Sequence, residues 1–438
     1  MPASSTDRIG LAELIDRRPM SAAQMWVVAL CAAALFVDGY DIQVMALAVP
    51  SLSLAWSLQP SSFGFALSAV VIGITVGSGV LGPLGDRYGR RTMLVVTMSF
   101  VGLLTCGTAL ARSPEEFVIW RLATGVALGA GIPSCAALTS EYAPVASRSF
   151  VMGLMNVATP IGAFSAGFLA PVVLDVFGWR STFVIGGIGP LVIAGLALLV
   201  PESLKFLLVR RPNDARIPQY LRRIAPDIDP QTVSVDVHGE QHRVSPLELL
   251  AKAFRARTLF LWGLLILNLF NLYLLVSWLP TLLERSGWSL GDALRGAVLI
   301  QGGGIVGGLL MSRFMDRGAT KAALVGGFLI SGASLVAFTF LPGYSNWFTL
   351  LLLVGAGISG AQLSLNALSA AYYPPAIKAT GVAWALVVGG VGSVAGPIVG
   401  AQLIDLGLSP ATILALLAVP SVVCALSVVL MRREWQAH

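Results

Sequence analysis

Two aspartates stand three positions apart in "LFVDGYDIQ", residues 35–43, inside a long apolar run. At helical spacing Asp38 and Asp41 share one face. Asp38 lies about a dozen residues past Trp26, which at about 1.5 Å per residue places it near the middle of a bilayer. Acids at that depth are expensive and mark functional positions. The chemistry open to such a pair is proton carriage: a carboxyl withdrawn from water can take a proton on one side and give it up on the other. Arg121, which opens "RLATGVALGAGIPSCAALTSEYAP", is a second intramembrane charge, several residues inside the apolar run at 116–140. A cation there costs at least about 2.5–3.5 kcal/mol unless it snorkels to the interface or meets an anion. It is therefore a candidate for holding an organic anion or coupling to a proton, with interfacial anchoring as the alternative. Glu141 closes the same run and reads as a gate partner of the loop at 82–91 or of Arg148.

Other polar or aromatic side chains in apolar runs could complete a pocket: Tyr40, Gln43, Asn268, Asn271, Tyr273, Gln301, Asn366 and Trp384. Amides bind carboxylate and hydroxyl groups, and aromatic rings stack. Each alone could equally be an interhelical hydrogen bond or a packing contact. Trp278 and Trp288 read as interfacial aromatics.

These residues need elements that cross a membrane. The 438 residues are 56% hydrophobic and only 11% charged, with mean hydropathy +0.81, whereas soluble domains are about 25% charged. An all-α polytopic membrane protein follows. The net charge of +6 is no nucleic-acid signal, because the basic residues sit in short connections. Cys31, Cys106, Cys135 and Cys424 fall in apolar runs without metal-ligand spacing, and two of the three histidines lie in the central loop and one at the C-terminus. No enzyme, metal or cofactor is expected. The first apolar run is long enough to span, so no cleavable signal peptide is expected.

Twelve spans are expected, at about 25–50, 61–81, 93–111, 116–140, 150–174, 181–201, 258–283, 293–314, 322–342, 346–370, 379–404 and 410–431. One long polar stretch, 202–257, separates two six-helix halves (25–201 and 258–431), flanked by tails 1–24 and 432–438. With both termini cytoplasmic, 23 of the 28 Lys and Arg residues fall on the inner side. The tails and the central loop are thus expected in the cytoplasm.

The halves are repeats. "EYAPVASR" (141–148) aligns with "AYYPPAIK" (371–378) at an offset of 230. The same offset carries Asp86-Arg87 onto Asp316-Arg317, Gly73 onto Gly303, Gly77 onto Gly307, Pro50 onto Pro280 and Asp175 onto Asp405. Parallel repeats imply a pseudo-twofold axis along the membrane normal and a site between the halves. On this ruler "DGYD" (38–41) falls on "NLFN" (268–271), Arg121 on Leu351 and Glu141 on Ala371. The fold needs no charge at these places, so ionisable chemistry is concentrated in the N-terminal half.

Between spans 2 and 3 runs "GPLGDRYGRR", 82–91. Its glycines permit a tight turn, and Gly85, Asp86, Arg87 and Arg90 can build a cytoplasmic gate of charge-assisted bonds, with Glu141, Arg148 and the second copy Asp316-Arg317. This loop resembles that of the major facilitator superfamily, Gly-x-Leu-Ala/Gly-Asp-Arg/Lys-x-Gly-Arg-Arg/Lys. A closer likeness lies in the Asp-Gly-aromatic-Asp signature of span 1, in "SWLPTLLERSGWS" (277–289) and in "PESLKFLL" (201–208). These are similar to the aromatic acid–proton symporter family, along essentially the whole chain. The resemblance implies a twelve-helix transporter in the inner membrane that takes up hydroxybenzoates or related aromatic carboxylates with protons, by alternating access. It implies that Asp38, Asp41, Arg121 and Glu141 are required. Its partners would be a small organic anion, protons and the lipid bilayer, with no nucleic acid, and a monomer is expected. Two departures stand out: the family's span 11 arginines are here Lys378 and Gly390, so the carboxylate is held another way or the substrate differs. The alternatives are a carrier of another organic anion or a proton-coupled exporter. Span 5, "ATPIGAFSAG", lacks the Gly-Pro motif of the exporters, and the glutamine-rich span 7 signature of sugar carriers is missing.

Overall fold

A computed structural model describes residues 9–431, apart from residues 17, 225–232, 235–245, 253, 342, 375 and 376. Twelve helices are long and apolar enough to cross a membrane. In the first half they are α1 (Ala22–Trp56), α2 (Gly64–Val80), α3 (Arg90–Thr108), α4 (Pro114–Tyr142), α5 (Val145–Phe177) and α6 (Trp179–Ala197). In the second they are α7 (Arg255–Arg285), α8 (Leu290–Asp316), α9 (Thr320–Ala337), α10 (Tyr344–Tyr372), α11 (Lys378–Asp405) and α12 (Pro410–Leu430), the last interrupted at Leu417. Strand among the described residues is limited to a two-residue parallel pairing of Ile9–Gly10 with Val233–Ser234. The central segment is not the plain polar loop expected from its composition. It holds two short helices, Leu204–Arg210 and Ile217–Ile224, whose Leu204, Phe206, Leu207, Ile217 and Leu221 are buried against the first half.

The repeat is visible in the packing. A Cβ on Gly125 would stand 2.2 Å from the Val70 carbonyl, and one on Gly355 would stand 2.2 Å from the Ile300 carbonyl; both pairs are related by 230. Only glycine lets backbones approach so closely. In the same way Gly162 meets Phe36, and Gly392 meets Ile266. Polar capping repeats too. Arg91 at the start of α3 donates to the carbonyls of Ala197 and Leu198 ending α6, and Lys321 in α9 donates to Met431 at the end of α12.

The apolar core has two regimes. At the end of the molecule holding residues 57–63, 109–113, 178 and 286–289, one buried cluster runs through both halves, from Val44, Leu52 and Phe63 to Leu274, Trp278, Leu294 and Ile404. Here Gly64 abuts Ala401, Gly167 abuts Val298, and the Ser68 hydroxyl donates to the Val394 carbonyl at 2.8 Å. At the other end, which holds the 82–91 motif, each half keeps a cluster of its own. There a groove of about 570 Å³ parts α5 (Phe150, Leu154) from α8 (Gly308, Ser312, Asp316) and α10 (Leu363). The molecule is sealed at one end and divided at the motif end.

Candidate functional site

Asp41 and Arg121 meet in the interior of the first half. Arg121 donates from Nη2 to Asp41 Oδ2 at 2.7 Å and from Nη1 to Oδ1 at 3.1 Å, and Nη2 also reaches the Asp41 carbonyl at 3.2 Å. The Thr105 hydroxyl on α3 donates to Asp41 Oδ1 at 3.0 Å. Both charged side chains are fully buried. The guanidinium carbon lies 5.5 Å from the Phe183 ring on α6. Four helices thus build one ion pair. Arg121, whose sequence position left an organic anion, proton coupling or interfacial anchoring open, is met here by Asp41 in bidentate fashion, the strongest geometry available to that pair. Beyond it, Trp56, Phe63, Phe117, Trp179 and Phe183 pack ring on ring with centroids 5.4–6.1 Å apart and close off the sealed end.

Asp38 has a different setting. It is 2% exposed, and neither carboxylate oxygen has a hydrogen-bond partner. An unpaired charge there is expensive unless a proton neutralises it. Between the acids, Gly39 explains itself: a Cβ would lie 1.9 Å from the Thr159 carbonyl of α5. The motif places two acids around the point where α1 and α5 touch backbone to backbone.

The remaining candidates divide. Tyr40 packs against Gly186 inside the first half, with its hydroxyl unpartnered. Gln43 is 1% exposed and its amide is unpartnered. In the second half Asn268 donates to Gln362 Oε1 at 2.8 Å and to the Ile358 carbonyl at 3.3 Å, and Gln362 donates to Asn366 at 3.0 Å. This amide chain links α7 to α10, and the Asn268 carbonyl oxygen remains free of partners. Gln362 was not read from the sequence; its spacing of four from Asn366 on a helix was the available signal. Asn271 instead faces α12, donating to the Leu417 carbonyl and the Ser421 hydroxyl at 3.1 and 3.0 Å. Gln301 accepts from Ser359 at 3.4 Å. Tyr273 is half-buried on α7, and Trp384 on α11 is exposed. A Cβ on Gly390 would have only the Thr75 hydroxyl nearby, at 3.4 Å.

At the motif end the charges form a network within the first half. Arg90 joins Asp86 at 3.0 Å and Glu141 at 3.1 Å, and Ser203 donates to Glu141. Gly85 is buried, with the Ser134 hydroxyl 2.9 Å from where its Cβ would be. Arg148 pairs with Asp16 at 3.5 Å and bonds the Ala143 carbonyl, so Glu141 is Arg90's partner and not Arg148's. Arg87 is exposed over the Tyr88 ring. Asp316 and Arg317 are exposed, with no ion pair among the described residues; the second copy of the motif does not reproduce the network. Glu202 does what sequence reasoning missed. It accepts from the backbone of Arg91 at 2.9 Å and of Thr92 at 3.3 Å, capping α3. Its backbone carbonyl accepts from the Tyr142 hydroxyl at 2.9 Å.

The chain is similar to known proteins along nearly its whole length. The family model described as Major Facilitator Superfamily matches residues 31–397. A gallate transporter of Pseudomonas putida is 34% identical over 427 residues, covering 96% of this chain and 94% of that protein. A 4-hydroxybenzoate transporter of Pseudomonas aeruginosa is 34% identical over 438 residues, covering 97% and 96%. The xylose transporter XylE from E. coli, solved in a partially occluded inward open conformation, shares the fold with TM-score 0.71 at 18% identity, over 92% of this chain and 98% of that one. This is a membrane transporter and not an enzyme, and the chain belongs to the major facilitator superfamily, in the family that contains these aromatic acid transporters.

Proposed function

We propose that the protein is a symporter that brings an aromatic carboxylate across the inner membrane together with protons, with both termini and the motif end in the cytoplasm. The relatives named above carry gallate and 4-hydroxybenzoate, and the Lys and Arg bias supports the orientation. The observation that carries the reading is the buried Asp41–Arg121 pair, which the other half replaces with Asn271 and Leu351.

Two carboxylates compete for one guanidinium. While Asp41 is ionised it holds Arg121. When the sealed end opens, a proton from outside neutralises Asp41 and releases the fork. The carboxylate of the substrate then takes Asp41's place, which suits a chain with Gly390 where the family has an arginine. The Asn268–Gln362–Asn366 amides across the axis receive ring hydroxyls. Rocking of the halves opens the motif end. Loss of the proton returns Arg121 to Asp41 and expels the anion. Asp38, bound to nothing, is the second proton position and relays between Asp41 and the opening. The network of Asp86, Arg90 and Glu141 braces the first half as it moves.

Proteoliposomes test this. Radiolabelled 4-hydroxybenzoate or gallate is expected to accumulate against its gradient when the outside is acid, and a protonophore is expected to abolish the accumulation. Uptake indifferent to the protonophore would reject the coupling.

A further inference from the structure

Arg257 lies in the first turn of α7, at the motif end, and belongs to none of the chemistry above. It is 7% exposed. No carboxylate among the described residues is within ion-pair distance, and its Nε is buried without a hydrogen-bond partner. Its guanidinium carbon lies 4.3 Å from the Phe254 ring and 6.0 Å from the Tyr373 ring. The Tyr373 hydroxyl turns aside to donate to Thr258 at 3.3 Å.

The repeat sharpens the oddity. At the offset of 230, Arg257 corresponds to Val27, Tyr372 to Tyr142 and Tyr373 to Ala143. Val27 is fully buried in the apolar cluster that also holds Tyr142 and Ala143. The fold therefore closes this place with a valine. In the second half the same place, against the Phe254 and Tyr373 rings, receives a cation. A guanidinium 7% exposed, with its Nε unpartnered and no carboxylate among the described residues beside it, carries a desolvation cost that an anion would offset.

We propose that Arg257 forms a second oxyanion site, at the divided end of the second half, for the carboxylate of the same aromatic acid. The inference rests on the substrate class proposed above. The guanidinium fork matches a carboxylate in two parallel bonds. Phe254 and Tyr373 supply ring faces for the arene, and the positive end of α7 adds to the attraction. An acid released from between the halves leaves through this end and meets Arg257 there. The site fills from the cytoplasmic side and slows the return of the empty carrier when the acid accumulates.

Equilibrium binding of radiolabelled 4-hydroxybenzoate to purified protein in neutral phosphatidylcholine nanodiscs tests it. The wild-type chain is expected to bind two equivalents. Arg257→Val, which installs the residue the first half uses, is expected to fold, to bind one equivalent, and to weaken inhibition of uptake by internal acid at least tenfold. Arg257→Lys keeps the charge but loses the fork, and is expected to bind the second equivalent more weakly. One equivalent in both wild type and Arg257→Val overturns the proposal while leaving the transport reading intact. No bound acid in any form overturns both. If Arg257→Val leaves the acid stoichiometry unchanged but loses phosphatidylglycerol that the wild type retains in mixed nanodiscs, the anion is a lipid headgroup and the proposal is likewise overturned.

Discussion

Asp41 and Arg121 are each intolerable alone. Removing one partner of a buried pair strands the other charge and costs about 3–5 kcal/mol. Arg121→Leu is therefore expected to lower the thermal transition of the purified protein, and adding Asp41→Asn is expected to recover most of the loss. A double variant no more stable than Arg121→Leu would contradict the pairing at 2.7 Å. The acids themselves were legible in the sequence, because two aspartates in an apolar run have few bland explanations. Their partners were not: Thr105 and Arg121 lie 64 and 80 residues away, and spacing along a chain does not say which helices become neighbours. For the same reason the sequence left Arg121 open between holding an organic anion, coupling to a proton and interfacial anchoring, and did not show Asp41 as its neighbour.

The helices were legible because twenty apolar residues in water-poor sequence leave little choice, and the repeat was legible because one offset survived in both loops and glycines. Gly39 marks the limit of that reading. Its partner position in the repeat is Leu269, so the need for glycine is local and comes from Thr159 on α5. Gly39→Val is expected to push α1 from α5 at a cost of about 1–3 kcal/mol, read as a lower melting temperature with full-length expression. Glu202 shows another limit. Its role depends on α3 starting just after Gly89, whose φ of 107° turns the chain and leaves amide donors to be satisfied. Glu202→Ala is expected to cost about 0.5–2 kcal/mol and to quicken proteolysis within residues 82–91. Unchanged cleavage would show that the cap does not hold the motif. The helices at 204–210 and 217–224 also carry a 3.6-residue apolar period that composition alone hid.

At the scale of the whole molecule, one core is shared at the sealed end and two are separate at the motif end, which in the proposed cycle is one of two alternating states. Alternating access requires the shared core to part. Cysteines at Ser68 and Val394, joined now by a 2.8 Å bond, are expected to cross-link and to stop uptake, with recovery on reduction. Transport through a confirmed cross-link would exclude separation at that seam. In the proposed cycle the direction rests on a single exchange, in which a proton neutralises Asp41 and the carboxylate of the substrate takes its place on Arg121. Asp41→Asn tests it most directly, because the amide keeps the shape and loses the titratable group. In proteoliposomes preloaded with aromatic acid, this variant is expected to retain counterflow of labelled 4-hydroxybenzoate and to lose accumulation driven by an imposed pH gradient. Gradient-driven accumulation at the wild-type level in Asp41→Asn would contradict the account.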